Sequence, residues 1–190
     1  YQDTLEVYRA MSDERGVAYA LGNMGLAAYD LGEYQEAMDL SVESMAIHKN
    51  TGDRTGLAMS SATRGRAALA LRRYPIARAC LREALQTAKD IGAIPLVLEI
   101  CPGLAELLAE EGHVERAAQF LVYVANHTAS DEGTRNRARK LLEELQVPGQ
   151  VIATAQQEAN TGGFETALEE ILAEPLSDNV DPLAFSRLMV

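Results

Sequence analysis

The hydrophobic positions of this chain recur at the spacing of amphipathic helices. From Tyr74 onward, apolar residues fall three or four positions apart, which places them on one face of a helix. These residues are Ile76, Ala77, Cys80, Leu81, Ala84, Leu85 and Ala88. Alanine and leucine dominate the chain while β-branched residues are sparse, which favours helix over sheet. The pattern predicts an all-α protein.

The helical pattern repeats with a period of forty residues. Residues forty positions apart match without gaps, and small residues recur in triplets. The pairs include Asp13/Asp53, Gly16/Gly56, Leu31/Leu71, Tyr34/Tyr74 and Gly52/Gly92, and the triplets are Gly25/Gly65/Ala105 and Ala37/Ala77/Ala117. Similarity at one fixed spacing is the signature of a repeat architecture. Each unit is therefore predicted to form one structural repeat.

Each repeat is predicted to be a pair of helices. In the first complete unit, one helix covers Gly16–Leu31, and Gly32 ends it in a left-handed conformation. The second helix covers Tyr34–Asn50 and ends in a turn around Gly52. Gly25 and its repeat mates lie in mid-helix, where glycine costs about 1 kcal/mol relative to alanine. We expect that the two helices of a hairpin approach each other closely there.

The turn and its surroundings resemble the tetratricopeptide repeat. The resemblance rests on the small residue in mid-helix, on the Gly-x-Tyr turn at Gly32–Tyr34, and on Ala37 three residues later. Arg72 replaces the turn glycine in the second unit and Val114 replaces the tyrosine in the third. Arg64 stands where the family has a large apolar residue. The resemblance implies a right-handed α-solenoid of antiparallel helix hairpins, here with a forty-residue period.

The repeat register divides the chain into repeats, a C-terminal helical cap and a tail. We expect a partial repeat at 1–13, repeats at about 14–53, 54–93 and 94–128, capping helices at 129–175 and a tail at 176–190. A cap is predicted because the register is lost after His127, where Ser130–Glu132 starts a helix, Val147–Pro148 breaks it, and a short helix follows from Phe164. Residues 1–13 match the end of a second helix, so we expect further repeats upstream. The apolar segment Leu183–Val190 either docks on the cap or contacts a partner.

The order of these segments resembles the C-terminal repeat region of bacterial multidomain signalling ATPases. The segments that carry it are the forty-residue units, the helix around Glu115–Phe120, a capping helix and the sequence Phe164–Glu170. In that family the repeats act as a sensor that receives a ligand or a protein. The resemblance implies that this chain is the sensor or interaction region of a larger regulator.

Charge and hydropathy exclude two classes of partner. The formal net charge of −11 disfavours both a nucleic-acid surface and an anionic membrane. The basic cluster Arg135, Arg137, Arg139 and Lys140 runs directly into Glu143 and Glu144. No apolar run reaches the roughly 18 residues that a membrane span needs. Cys80 and Cys101 are predicted to be buried thiols. We expect a cytoplasmic protein that binds neither nucleic acid nor membranes.

The sequence contains no motif for catalysis. It lacks a phosphate-binding loop, a nucleophile elbow and an H-E-x-x-H pair. The three histidines have no ligand partner four residues away, and His48 is expected to complement the negative end of a helix dipole. We therefore expect no enzymatic activity, no catalytic residues, no metal site and no cofactor.

The candidate binding surface is the concave side of the solenoid, lined by the first helix of each hairpin. Helical spacing places on it Tyr19, Leu26, Tyr29, Met59, Arg66, Leu69, Glu99 and Glu106. The Tyr and Met side chains are candidate anchors for a peptide, and the charged residues would set its charge pattern. In the alternative interpretation, Tyr29 and Leu69 pack between neighbouring hairpins. Pro102, inside the predicted helix Pro95–Glu111, is expected to kink that helix.

Two functions are consistent with these patterns. The first is a non-catalytic module that binds a protein or a peptide on the concave surface. The alternative is a structural module that self-associates through the exposed terminal hairpin or through Leu183–Val190.

Overall fold

The computed structural model describes residues 2–159 and 163–173, and within these ranges every regular element is an α-helix. The ten described helices are α1 (Gln2–Ala10), α2 (Glu14–Asp30), α3 (Tyr34–Thr51), α4 (Arg54–Ala70), α5 (Tyr74–Asp90), α6 (Ile94–Glu110), α7 (Val114–Asn126), α8 (Glu132–Glu144), α9 (Gly149–Ala159) and α10 (Gly163–Ala173). They pack as sequential antiparallel pairs, which confirms the predicted all-α hairpin fold. Helices α1–α5 form one compact unit, unit 1, and α6–α10 form another, unit 2.

Unit 1 is a stack of neighbouring helices. Each of α1 to α4 packs against the helix that follows it, and the first helices of the two complete hairpins, α2 and α4, also contact each other. The interior is built largely from alanines without exposed surface, among them Ala18, Ala58 and Ala67. Small side chains let helix backbones approach closely, so much of the packing is between backbones and short side chains.

The ends of the helices follow from capping residues. The Asp13 carboxylate accepts the Gly16 N–H at 3.0 Å, and the Asp53 carboxylate accepts the Gly56 N–H at 2.9 Å. These N-caps start α2 at Glu14, two residues before the predicted Gly16, and start α4 at Arg54. Gly32 has the predicted left-handed backbone, with φ of +83°. Arg72 adopts nearly the same conformation at the equivalent turn, with φ of +57°, so the turn is kept without its glycine.

The mid-helix glycines lie at close helix contacts, as predicted. A Cβ added at Gly65 would lie 2.8 Å from Leu81 Cγ on α5, and one at Gly25 would lie 3.1 Å from Ser41 Oγ on α3. Both distances are shorter than ordinary van der Waals separations. Glycine is therefore used at these positions because the second helix of the hairpin occupies the space of a side chain.

Arg64 is buried inside unit 1 although it is charged. Only 2% of the residue is exposed, and its Nε and Nη1 have no hydrogen-bond partner among the described residues. Nearby on α5, burial raises the pKa of Cys80 to about 12, against the opposing effect of the Arg64 charge. Ser61 Oγ donates to the Cys80 carbonyl at 3.0 Å. The contact between α4 and α5 thus contains a charged residue, Arg64, where the tetratricopeptide repeat has a large apolar residue.

Unit 2 is organised around α7. This helix contacts α6, α8, α9 and α10, so each of the three helices that follow it in the chain packs against it. The Phe164 ring of α10 stacks on Tyr123 of α7, with ring centroids 3.6 Å apart. The same ring meets the edge of Phe120 at 5.4 Å. Aromatic packing therefore attaches α10 to α7.

Asp131 and Pro102, which the sequence pattern singled out, both lie in unit 2. Asp131 caps α8 by accepting the Thr134 N–H at 2.8 Å, which is the predicted helix start. Pro102 is buried within α6, and the helix runs from Ile94 to Glu110 around it. The proline has no N–H to donate to the Leu98 carbonyl four residues earlier.

The tail at 176–190, with Leu183–Val190, lies outside the described residues, and the division into repeats, cap and tail stays a prediction.

Candidate functional site

Two large apolar side chains are exposed at equivalent positions of unit 1. Tyr19 on α2 and Met59 on α4 are forty residues apart, and they are 45% and 42% exposed. The neighbouring residues Ala18, Ala20, Ala58 and Ser60 are buried, so the exposure belongs to one side of each helix. Because α2 and α4 contact each other, the two positions lie on adjoining helices. We refer to Tyr19, Leu26, Tyr29, Met59 and Arg66 as the α2/α4 face.

Arg66 lies over the ring of Tyr29. The guanidinium carbon is 4.2 Å from the ring centroid, and the Tyr34 ring lies 5.6 Å from that of Tyr29. Arg66 Nε is buried without a hydrogen-bond partner, and no carboxylate in the described ranges pairs with this arginine. A cation stacked on an aromatic ring keeps its charge while losing conformational freedom. Arg66 is therefore an oriented cation with unused hydrogen-bonding capacity.

The two leucines of the predicted surface are less exposed than Tyr19. Leu26 on α2 is half-buried, and Leu69 on α4 is only 8% exposed. Leu69 is therefore buried in unit 1 and contributes little surface to a partner. Tyr29 is half-buried. Its ring packs on Tyr34 within unit 1 and also lies under the Arg66 guanidinium.

The two predicted glutamates lie on α6, in unit 2. Glu99 is exposed, whereas Glu106 pairs with Arg137 of α8 at 2.6 Å. Both partners of this ion pair are about a quarter exposed, so the charge of Glu106 is already neutralised within unit 2. The pair also engages one member of the basic cluster, and Lys140 of that cluster pairs with Glu144 at 3.3 Å. Two of the four members of the basic cluster thus form ion pairs within the protein.

A polar cluster beside Tyr19 was not predicted from the sequence. The Tyr19 ring meets the ring of His48 edge-on, with centroids 5.0 Å apart. His48 is 1% exposed. Its Nδ1 is 3.1 Å from Asp53 Oδ2, but the alignment does not make a hydrogen bond. Tyr19 thus packs against a side chain of α3, and Asp53 of the turn before α4 lies beside that side chain.

The charge states of this cluster follow from burial and from hydrogen bonds. Burial lowers the pKa of His48 below its ordinary 6.5, against the opposite effect of the nearby Asp53 charge. Burial alone would raise the pKa of Asp53. The Gly56 N–H, Tyr19, His48 and Arg15 together outweigh burial, so this pKa lies below its ordinary value. The hydrogen bond to Asp53 raises the pKa of Tyr19. His48 lies in the last turn of α3, as expected, but its burial disfavours the charged form of the imidazole.

The sequence held one signal for this cluster. Tyr8 and His48 are forty residues apart, as are Asp13 and Asp53, and Gly16 and Gly56. In the structure each ring lies against the glycine of its own set. An aromatic residue, a capping aspartate and a glycine that recur in one register indicate a packing arrangement that is repeated, but they do not indicate that Tyr19 packs there.

The described ranges hold no convergent group of three or more metal-ligating side chains. In the same ranges no helix has the length and apolar character of a membrane span. Cys80 and Cys101 are free and buried, as predicted, and burial raises the pKa of both thiols. Raised thiol pKa values reduce the thiolate fraction and thereby the reactivity of both cysteines.

A family model for the tetratricopeptide repeat matches residues 1–90. The match covers α1 to α5 and ends at Asp90, the last residue of α5. It supports the repeat pattern over unit 1 and carries no information on a signalling ATPase. No curated protein and no solved structure matches the chain.

Proposed function

We propose, from the tetratricopeptide match over residues 1–90, that this chain is a non-catalytic module that binds a protein or a peptide on the α2/α4 face. Tetratricopeptide repeats generally mediate protein–protein interactions. The observation that carries the proposal is the paired exposure of Tyr19 and Met59 at equivalent positions of adjoining helices. Aromatic and methionine side chains are enriched at the centres of protein interfaces, where they bury large apolar areas.

The chemistry of the face indicates which peptide would bind. Tyr19 and Met59 offer apolar contacts, so the peptide would carry an apolar side chain. Arg66 is stacked on Tyr29 and has no acid partner in the described ranges, so the peptide would also carry a carboxylate. Binding costs less conformational entropy because Tyr29 already orients the guanidinium. The net charge of −11 repels acidic ligands, so an acidic peptide would depend on the hydrogen bonds that its carboxylate accepts from Arg66.

A selection from a random peptide library tests this proposal. Peptides selected on the whole chain should be rich in acidic and apolar residues, and their affinities can be measured by fluorescence anisotropy. Arg66→Gln should weaken binding about tenfold, which corresponds to about 1.4 kcal/mol. Arg139→Gln makes the same charge change on α8 and should have little effect. Selected peptides that bind a Tyr19→Ala/Met59→Ala variant unchanged would place the site elsewhere, and equal affinities of the two arginine variants would remove the acidic preference.

The proposal extends to a biological setting. The order of repeats followed by irregular helices supports a sensor or interaction region in a larger bacterial signalling regulator, located in the cytoplasm. In that setting the bound protein or peptide would be the signal. If so, Arg66→Gln in the full-length regulator should abolish the response to the signal while the protein remains folded. A response that survives this change would separate the α2/α4 face from sensing.

Self-association is the alternative function, and one observation favours it. Val7 in α1 is 55% exposed, Met11 just after α1 is 69% exposed, and Leu31 after α2 is 76% exposed. Exposed apolar side chains on one unit are candidates for a contact between copies. Light scattering across protein concentration should then show a dimer that Met11→Glu converts to a monomer. A monomer at all concentrations would reject this alternative.

A further inference from the structure

The α2/α4 face presents a cation and two large apolar side chains that the described ranges leave uncovered. Tyr19 and Met59 are 45% and 42% exposed, on helices that contact each other. The Arg66 guanidinium carbon lies 4.2 Å from the centroid of the Tyr29 ring, and no carboxylate of the described ranges pairs with it. An oriented guanidinium without an acid partner favours a carboxylate, and exposed apolar side chains favour apolar contacts. The face is therefore complementary to a segment that carries both.

One segment of this chain has that composition and lies outside the described ranges. Residues 174–190 follow α10 and are the longest such stretch of the sequence. Acidic and apolar side chains lie close together within it, at Asp178, Val180, Asp181, Leu183 and Phe185. The other residues outside the described ranges, Tyr1 and 160–162, have no carboxylate side chain. An acid partner for Arg66 from within this chain must therefore come from 174–190.

We propose that residues 178–185, the acidic-apolar segment, occupy the α2/α4 face as an internal ligand. One of the two aspartates of the segment accepts hydrogen bonds from the Arg66 guanidinium, and its apolar side chains cover Tyr19 and Met59. The segment has the chemistry proposed for a bound peptide, so it competes with such a peptide for the face. This autoinhibition rests on the proposed function, whereas the internal contact does not.

Covalent attachment favours the internal segment over a peptide from solution. A tethered ligand does not lose its translational freedom again, and a short flexible tether holds it at an effective concentration of about 1 mM. A free acidic peptide must approach a chain of net charge −11, whereas the carboxylates of the segment are already part of that charge. Asp181 lies eight residues after Ala173, the last residue of α10, and an extended chain of that length spans about 27 Å. The segment is therefore not confined to the surface of α10.

The contact is tested by NMR of the methionine methyl groups in the whole chain, without any ligand. Met59 lies on the α2/α4 face, and Met11, which is 69% exposed on the same unit, lies outside it and serves as the internal control. Phe185→Ser removes an aromatic ring that covers the face, so the Met59 signal should shift while the Met11 signal stays unchanged. Asp178→Asn/Asp181→Asn releases the same segment and should also shift the Met59 signal.

A matched variant and a second background make this test specific. Glu143→Gln/Glu170→Gln removes two exposed carboxylates from α8 and α10 and should leave the Met59 signal unchanged. An equal shift in this control would reduce the effect to net charge and overturn the proposal. In an Arg66→Gln background the two aspartate substitutions should cause no further shift, because the cation that pairs with them is gone. A further shift of the same size would show that the aspartates do not pair with Arg66.

Two other results would overturn the internal contact. A Met59 signal that responds to neither tail variant is the result expected if the segment docks on the capping helices. A Met59 signal that moves to its position in the variants on dilution would show that the segment belongs to a second copy of the chain. The internal contact requires a Met59 signal that does not depend on protein concentration.

Peptide binding tests the autoinhibition separately. If the segment binds the face with a dissociation constant of about 0.1 mM, an effective concentration of about 1 mM weakens external binding about tenfold. Peptides selected on the whole chain should therefore bind Asp178→Asn/Asp181→Asn about tenfold more tightly and Glu143→Gln/Glu170→Gln with unchanged affinity. Equal affinities for both variants would reject autoinhibition. If Met59 responds but no peptide binds any variant, the proposed function fails and the internal contact stands; peptides that bind while Met59 does not respond give the reverse conclusion.

Discussion

Replacing Gly56 by alanine tests the tightest contact of unit 1. In a helix, this substitution normally stabilises a protein by up to about 1 kcal/mol, because glycine loses more conformational entropy on folding. Here the new Cβ would meet the imidazole of His48, and even the most distant of the three nearest ring atoms, Nε2, would be 2.5 Å away. The ring is 1% exposed and packs against Tyr19, so it has little free space to move into.

The magnitude follows from the two opposing effects. Overpacking in a filled interior costs about 1 to 3 kcal/mol. After subtraction of the gain in helix propensity, we expect that Gly56→Ala destabilises the protein by about 1 to 2 kcal/mol. Urea unfolding followed by circular dichroism should show a lower midpoint with an unchanged slope. Gly149→Ala is the matched control, because a Cβ at Gly149 meets no atom within 4 Å, and it should be neutral or slightly stabilising.

A double-mutant cycle separates the clash from other effects. His48→Ala removes the ring that the new Cβ would meet, so Gly56→Ala should stabilise the protein in that background. The change of sign between the two backgrounds measures the coupling between the residues. If Gly56→Ala is neutral or stabilising with His48 in place, the ring moves freely and the reasoning is refuted.

Other predictions concern pH, the aromatic contact of unit 2 and the thiols. Because burial lowers the pKa of His48 in the folded protein, its neutral form contributes stability that is complete above about pH 6.5 and is lost as the pH falls below that value. His48→Phe should therefore flatten this part of the stability curve, and an unchanged slope would contradict the assignment. Phe164→Ala should destabilise unit 2 by about 3 kcal/mol, because the ring packs on Tyr123 and is 6% exposed. Amide exchange in α10 should then accelerate, and unchanged protection would show that the ring does not hold α10. Cys80 and Cys101 should react with a thiol reagent only in urea, since both are buried with raised pKa values; rapid labelling of the folded protein would show that unit 1 or unit 2 opens readily.

Part of the candidate site could be predicted because it depends on helix periodicity. Helical spacing from Gly25 and Gly65 places Tyr19 and Met59 on the same side of successive helices, and the structure shows both exposed. The same spacing does not distinguish Leu69, which is buried, from its neighbours on that side. The exposed fraction of a side chain depends on what the next hairpin places against it, and this information is not contained in one helix.

The sequence by itself determined the elements that depend on local and periodic interactions. Capping by Asp13 and Asp53, the left-handed turn at Gly32 and the close approach at Gly65 all follow from backbone geometry and side-chain size over a few residues. The forty-residue register then predicts that such elements pair as hairpins.

Only the tertiary structure decided which distant side chains meet. Glu106 pairs with Arg137, Arg66 lies over Tyr29, and the Tyr19 ring meets the ring of His48. Each of these contacts joins two helices, or a helix and a turn, and depends on the distance and angle at which they pack. A shift of about one helical position would replace every partner, because side chains on a helix change direction by about 100° per residue. The pKa of His48 follows from the same packing, because burial by neighbouring side chains disfavours the imidazolium.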